Sequence, residues 1–392
     1  MEILQGSEYH KKLKNKNQEN KKGVLVNNRF NELEQIGQSV WLDNISRDLL
    51  NNKELQKLIE EVGLKGVTSN PTIFQKAIGS GAAYDEQIKQ LLSKKSSLSA
   101  DELFEELAVR DIQNAADVLF HVYEKTGGID GFISLEVSPD LAFNTEGTVI
   151  AARRLNKKVN RPNVMIKIPA TQEGLPAIKQ MISEGVCINV TLIFSQEVYE
   201  QVVEAYIAGL EERNKKNGRL NNVSSVASFF ISRIDTSVDK ELDKVNNATL
   251  KGKTAIANAK LVYEKSKEIF NSDRFKKLAD KGARIQRLLW ASTSTKNPSY
   301  PETIYIDELI GKDTVNTMPP ATIEAFKTKG KVYNAIEDKV DEARKQMKSL
   351  RDLNIDFSEI TKKLTVDGVE SFAQSFRDLI STIENKKVSY GI

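Results

Sequence analysis

From about residue 38 onward, short apolar or β-branched runs alternate with longer stretches whose apolar positions recur at helical spacing, the pattern of a parallel sheet covered by helices. Eight such runs are legible: SVWLDN (39–44), LKGVTSN (64–70), GFISLEVSP (131–139), NVMIKIPA (163–170), VCINVTLIF (186–194), SSVASFFIS (224–232), RIQRLLWAS (284–292) and DTVNTMPP (313–320). Between them the helix punctuation is clear. Ser99 and Glu102 have capping-box spacing, Leu103, Leu107, Leu119 and Val122 mark an apolar stripe, and Gly127 with Gly128 supplies a stop, which predicts a long helix. Ser195 is placed to cap a helix that turns Val198, Val202, Ala205 and Tyr206 toward the sheet. Eight βα units without an internal linker argue for a closed barrel over an open Rossmann-like sheet. No G-x-G-x-x-G follows the first run and no lysine-bearing P-loop occurs, so nucleotide-binding readings lose most of their weight. After the eighth run, VESFAQSFRDLISTIEN (369–385) is placed to pack across the barrel. The expected fold is α/β, a single TIM (β/α)8 barrel with additional N- and C-terminal helices.

Strands of a parallel barrel are covered on both faces, so each interior polar residue needs an explanation. In VMIKIP, Lys167 is the sole charge and shares a face with Met165, opposite Ile166 and Ile168. A lysine buried without a partner is driven toward the neutral amine, the form in which lysine is a nucleophile. VCINVTLIF separates Ile188, Val190 and Leu192 from Cys187, Asn189 and Thr191. Asn189 and Thr191 on an inward face could orient a substrate oxygen and a water; a structural hydrogen-bond pair would leave the same pattern. GFISLEVSP puts Ser134, Glu136 and Ser138 together, and SVWLDN puts Asp43 on the parity of Trp41. Two carboxylates and a lysine near one mouth suit proton transfer around an imine, with a purely structural ion pair as the plain alternative.

LKGVTSNPT adds Thr68 and Asn70 on one parity, although S-N-P is also turn chemistry. Ser228 and Phe230 share a face, Arg233 lies beyond their strand end, Ser292 closes the seventh run, and Ser294 and Lys296 follow it. A guanidinium fork, hydroxyl donors and an ammonium are what a phosphate dianion requires.

Composition narrows the classes. Of 392 residues, 40% are apolar and 28% charged, and no apolar run approaches the roughly 20 residues needed to span a bilayer. Lys plus Arg number 57 against 54 Asp plus Glu, too balanced for a nucleic-acid or membrane surface. Lys11, Lys12, Lys14, Lys16, Lys21 and Lys22 lie among polar residues, so residues 1–24 read as a disordered basic tail ahead of one unit over 25–392. One cysteine, Cys187, and two histidines, His10 and His121, disfavour disulfides, metal centres and histidine triads, and fit a cytoplasmic setting.

Taken in order, WLDN, TSNPT, SLEVSP, IKIPAT, INVTLIFS and SFFISRID resemble the transaldolase family over roughly residues 36–385. The resemblance implies a barrel permuted relative to other class I aldolases, with the imine lysine on the fourth strand, where Lys167 stands. It implies transfer of a dihydroxyacetone unit from sedoheptulose 7-phosphate to glyceraldehyde 3-phosphate, giving erythrose 4-phosphate and fructose 6-phosphate, a step of the pentose phosphate pathway. Asp43 would act as acid/base on the C4 hydroxyl, Glu136 would move protons through a water, and Thr191 would help hold that water. Asn70 and Asn189 would bind the dihydroxyacetone moiety with Ser228 in support, and Arg233 with Ser292 would bind phosphate. One departure stands out: many members carry Ser-x-Arg after the seventh strand, whereas this chain reads S-T-S-T-K, which puts Ser294 and Lys296 in its place.

The same lysine would serve a fructose 6-phosphate aldolase-type lyase that protonates the enamine and releases dihydroxyacetone. Family analogy gives those lyases a tyrosine where this chain has Phe230, which favours transfer. A non-catalytic sugar-phosphate-binding barrel is the third reading. The resemblance implies no metal and no organic cofactor, sugar phosphates as partners, and a monomer or homodimer.

Overall fold

A computed structural model describes residues 28–390. The eight apolar runs form eight parallel strands: β1 (Gln38–Asp43), β2 (Gly66–Thr68), β3 (Phe132–Glu136), β4 (Val164–Pro169), β5 (Ile188–Ile193), β6 (Ser225–Phe230), β7 (Arg287–Ala291) and β8 (Thr314–Met318). They pair in sequence order and β8 closes on β1, so the expected (β/α)8 barrel is the architecture. The tail expected over residues 1–24 lies outside the described residues.

Local chemistry sets the element ends. Ser99 and Glu102 form the reciprocal capping box that opens the helix Ala100–Lys125, and the amide of Gly128 closes it on the Tyr123 carbonyl. Ser195 accepts from the Val198 amide at the start of the helix Gln196–Lys215. Strand β2 is short because Asn70 leaves it to cap the helix Pro71–Gly79, accepting from the Ile73 amide, with Pro71 at the first helical position.

The lower half of the barrel holds a bonded cluster around Asp130. Asp130, ahead of β3, accepts from Ser39 Oγ at 2.7 Å and Trp41 Nε1 at 2.9 Å and pairs with Arg287 at 2.8 Å. Every partner there is satisfied, so the buried charges cost little. The Trp41 ring fills the interior opposite Gly66, where an added Cβ would lie 2.5 Å from the indole. Only glycine leaves the indole that room.

Strand β5 departs from simple alternation. Its pairing with β6 shifts between Val190 and Ile193, and Leu192 takes a left-handed φ of 59°. Leu192 therefore leaves the outer aliphatic face expected for it and meets Gly368 of the C-terminal helix. That helix, Phe357–Ser389, runs 33 residues, about 50 Å. Its buried Leu364, Phe372, Phe376 and Leu379 pack against the helix Pro71–Gly79 and the end of β5, across the C-terminal mouth of the barrel as its sequence predicts.

One buried carboxyl stitches the fold beyond the barrel. Asp235, in the helix Ser232–Lys244, accepts from the Ala255 amide at 2.8 Å and from Tyr305 Oη at 2.8 Å, standing in for the side-chain cap that Lys253 does not provide. Burial pushes the Asp235 carboxyl up to about 7. The native state then binds a proton more tightly than the unfolded chain, so this group's contribution to stability is fullest below the ordinary carboxylate range and is lost as pH rises to about 7. Urea unfolding of Asp235→Asn and the parent at a series of pH values should show a flatter dependence in the variant over that window; parallel curves would contradict the assignment.

Candidate active site

The upper half of the barrel differs from the lower. Register sets Glu136 beside Lys167, and Lys167 beside Asn189, on three adjacent strands. All three side chains point inward at one level. Lys167 is 4% exposed; its Nζ donates to the Ser69 carbonyl at 3.2 Å and lies 3.5 Å from Glu136 Oε2. The lysine is thus buried beside a carboxylate and not alone. Asn189 Nδ2 donates to Ser134 Oγ at 2.9 Å, and its Oδ1 accepts from Ser228 Oγ at 2.6 Å, which orients the amide. Thr191 Oγ1 is buried with no hydrogen-bond partner among the described residues, and Glu136 Oε2 has there only the ammonium-side contact with Lys167 at 3.5 Å.

Above this level a cavity of about 530 Å³ opens at the mouth. Nine of the twelve residues singled out in the sequence line it: Asp43, Asn70, Lys167, Ser228, Phe230, Arg233, Ser292, Ser294 and Lys296. The other three, Glu136, Asn189 and Thr191, lie on β3 and β5 in the interior just described. Asp43 accepts from Thr68 Oγ1 at 2.7 Å, and the Thr68 hydroxyl in turn meets Thr317 Oγ1 at 2.7 Å. Because Thr68 gives its proton to the carboxylate, it accepts from Thr317. Asn70 spends its Oδ1 on the helix cap, leaving its amide hydrogens for the cavity.

Burial raises the Asp43 carboxyl above the usual carboxylate range, opposed by the charge of Lys167, the Thr68 hydrogen bond and the more distant Lys296 and Arg233. Glu136 is raised by burial as well, with Lys167 opposing and Asp43 reinforcing the shift. Two carboxyls held up in this way, around an amine, form a site able to take and return protons.

The opposite side of the cavity is cationic. Burial lowers the Arg233 guanidinium and the Lys296 ammonium, the latter also through Arg233's charge, so both would gain from an anion. Lys296 donates to Ser294 Oγ at 2.8 Å. Ser292 has a left-handed φ of 56°; the turn brings it off the outward parity of Trp290, into the cavity and within 2.9 Å of Ser232 Oγ. Strained backbone at Leu192 and Ser292 thus flanks the mouth on two sides.

Three of the lining residues that sequence reasoning missed bear on the chemistry. Phe372 comes from the C-terminal helix, with its ring centroid 5.8 Å from Lys167 Nζ. Lys76 comes from the far end of the helix that Asn70 caps, with no local signal. Thr317 had one: a polar residue inside the run DTVNTMPP.

Comparison with known proteins agrees with this geometry. The family model described as Transaldolase/Fructose-6-phosphate aldolase matches residues 40–383. A protein of Trichodesmium erythraeum named Transaldolase is 46% identical over 92% of this chain and 98% of its own length. One of a Nostoc species named Transaldolase 2 is 45% identical over 92% and 97%, and one of Saccharopolyspora erythraea named Transaldolase is 46% identical over 93% and 99%.

The cationic wall carries its own test. Titration with inorganic phosphate should show binding that weakens roughly tenfold or more in Arg233→Ala, where a charge-assisted contact is lost, and less in Lys76→Ala, whose side chain is exposed. Equal affinity in the Arg233 variant would remove Arg233 from the anion site.

Proposed function

The chain belongs to the transaldolase/fructose-6-phosphate aldolase family and is a transaldolase, a transferase of the pentose phosphate pathway, and from that premise we propose which residues carry the reaction. The observation that supports the reading best is Lys167, buried on β4 within 3.5 Å of a carboxylate and opening into a cavity with a second carboxylate and a cationic wall.

In this reading the amine of Lys167 attacks C2 of a ketose phosphate and loses water to give an iminium. Asp43 takes the C4 hydroxyl proton, the C3–C4 bond breaks into the iminium, and an aldose phosphate leaves. The three-carbon enamine remains on Lys167 until its carbon bonds to the carbonyl of another aldose phosphate. Glu136, 3.5 Å from Lys167, moves protons through a water that Thr191, whose Oγ1 has no hydrogen-bond partner among the described residues, helps to hold during imine formation and release. Asn70, Asn189 and Ser228 hold the dihydroxyacetone oxygens; Arg233, Ser292, Ser294 and Lys296 hold the phosphate. The iminium is the electron sink, so the reaction needs neither metal nor organic cofactor.

Phe230 lines the cavity, in contact with Phe194 at 5.2 Å between centroids. An apolar ring there offers no proton to the enamine, which supports transfer over the aldolase-type release of dihydroxyacetone. We further read residues 25–392 as one catalytic unit, acting in the cytoplasm as a monomer or homodimer on sugar phosphates.

Borohydride reduction in the presence of fructose 6-phosphate, followed by peptide mapping, should label Lys167 and abolish activity; folded protein without label at that residue would sink the mechanism. A second test concerns Asp43. The Thr68 hydrogen bond holds its carboxyl down, so Thr68→Val should raise it and move the acid limb of kcat/KM to higher pH. An unmoved limb would mean that the acid limb does not report Asp43.

A further inference from the structure

The C-terminal helix places an aromatic ring that no strand motif accounts for. Phe372 is 4% exposed and lines the cavity, with its ring centroid 5.8 Å from Lys167 Nζ and 5.8 Å from Arg233 Cζ. Arg233 also lies over Phe230, 5.2 Å from its centroid, so the guanidinium sits between two rings. Three features fix the height of Phe372. One turn earlier, Gly368 lets the helix approach Leu192, where an added Cβ would fall 2.8 Å from Leu192 Cδ2. Leu192 reaches that point only through its left-handed backbone. One turn later, Ser375 Oγ meets Thr72 Oγ1 at 2.8 Å, tying the helix to the one that Asn70 caps.

We propose that Phe372 is a specificity-determining side chain: it covers the nitrogen of the covalent intermediate and decides that the three-carbon enamine passes to an aldose instead of to water. This rests on the Lys167 mechanism above. Two routes leave the enamine. In transfer, its nucleophilic carbon bonds to the aldose carbonyl carbon, the carbonyl oxygen takes a proton, and hydrolysis of the new iminium releases the product ketose. In loss, that carbon takes a proton to give the dihydroxyacetone iminium; water oxygen then bonds to C2, the C2–N bond breaks, and dihydroxyacetone leaves with Lys167 restored. An apolar ring over the nitrogen keeps bulk water and its protons from the bound fragment while the aldose binds. Phe230 does this from the β6 side; Phe372 does it from the helix that spans the mouth.

The test measures free dihydroxyacetone against sedoheptulose 7-phosphate formed from fructose 6-phosphate and limiting erythrose 4-phosphate. In Phe372→Ala the ratio of lost to transferred units should rise roughly tenfold, and Phe372→Leu, which keeps the apolar cover, should hold it within about threefold of the parent. An unchanged ratio in Phe372→Ala that still labels at Lys167 with borohydride overturns this proposal alone. Absence of that label in the parent overturns the mechanism and the proposal together. Should Phe372→Ala not fold, Gly368→Ala, which lifts the same turn off Leu192, is read in its place with the same expectation.

Discussion

The level at which β3, β4 and β5 carry Glu136, Lys167 and Asn189 side by side is the constraint around which the rest of the molecule is arranged. A lysine buried in a barrel interior needs polar partners from the protein. Here they are a carboxylate 3.5 Å away and the Ser69 carbonyl. The carboxylate itself is raised by burial, with Lys167 opposing the shift. Such a group is costly in a structural core, which suits the proton-moving role proposed for it.

The two halves of the barrel carry different polar groups. Below, Asp130, Arg287, Ser39 and Trp41 bond to one another, and Gly66 gives way to the indole. Above, hydroxyl and amide groups orient one another, as Ser228 and Ser134 orient Asn189, while Thr191 Oγ1 has no hydrogen-bond partner among the described residues. At the upper rim Leu192 and Ser292 hold left-handed backbone.

The mouth is completed by parts remote in sequence. Arg233 comes from the start of the helix after β6, Lys296 from the loop after β7, Lys76 from the end of the helix after β2, and Phe372 from the C-terminal helix. Where the family pattern offers an arginine after the seventh strand, this chain sets Ser294 and Lys296 in hydrogen-bond contact and leaves Arg233 as the one guanidinium on the cationic wall among the described residues. A lysine brings a point charge in place of a planar fork, so in the proposed phosphate site orientation would fall more heavily on Arg233 and the serine hydroxyls.

Sequence by itself determined the elements, their order and the inward parity of Asp43, Glu136, Lys167, Asn189 and Ser228, because strand alternation and βα spacing are local and leave a residue little choice of face. It also placed the long helices by their caps, as at Ser99 and Ser195, and marked Lys167 as the odd charge in an apolar strand. Tertiary structure decided what no local rule reaches. Register brought Glu136 rather than Asp43 against the lysine. Backbone turned Leu192 and Ser292 away from the faces that alternation assigns them, and Asn70 divided its amide between a helix cap and the cavity. The close approach at Gly368 lowered Phe372 into the site, a meeting across 205 residues of sequence from Lys167 that depends on packing between elements and so leaves no periodic signal in either segment.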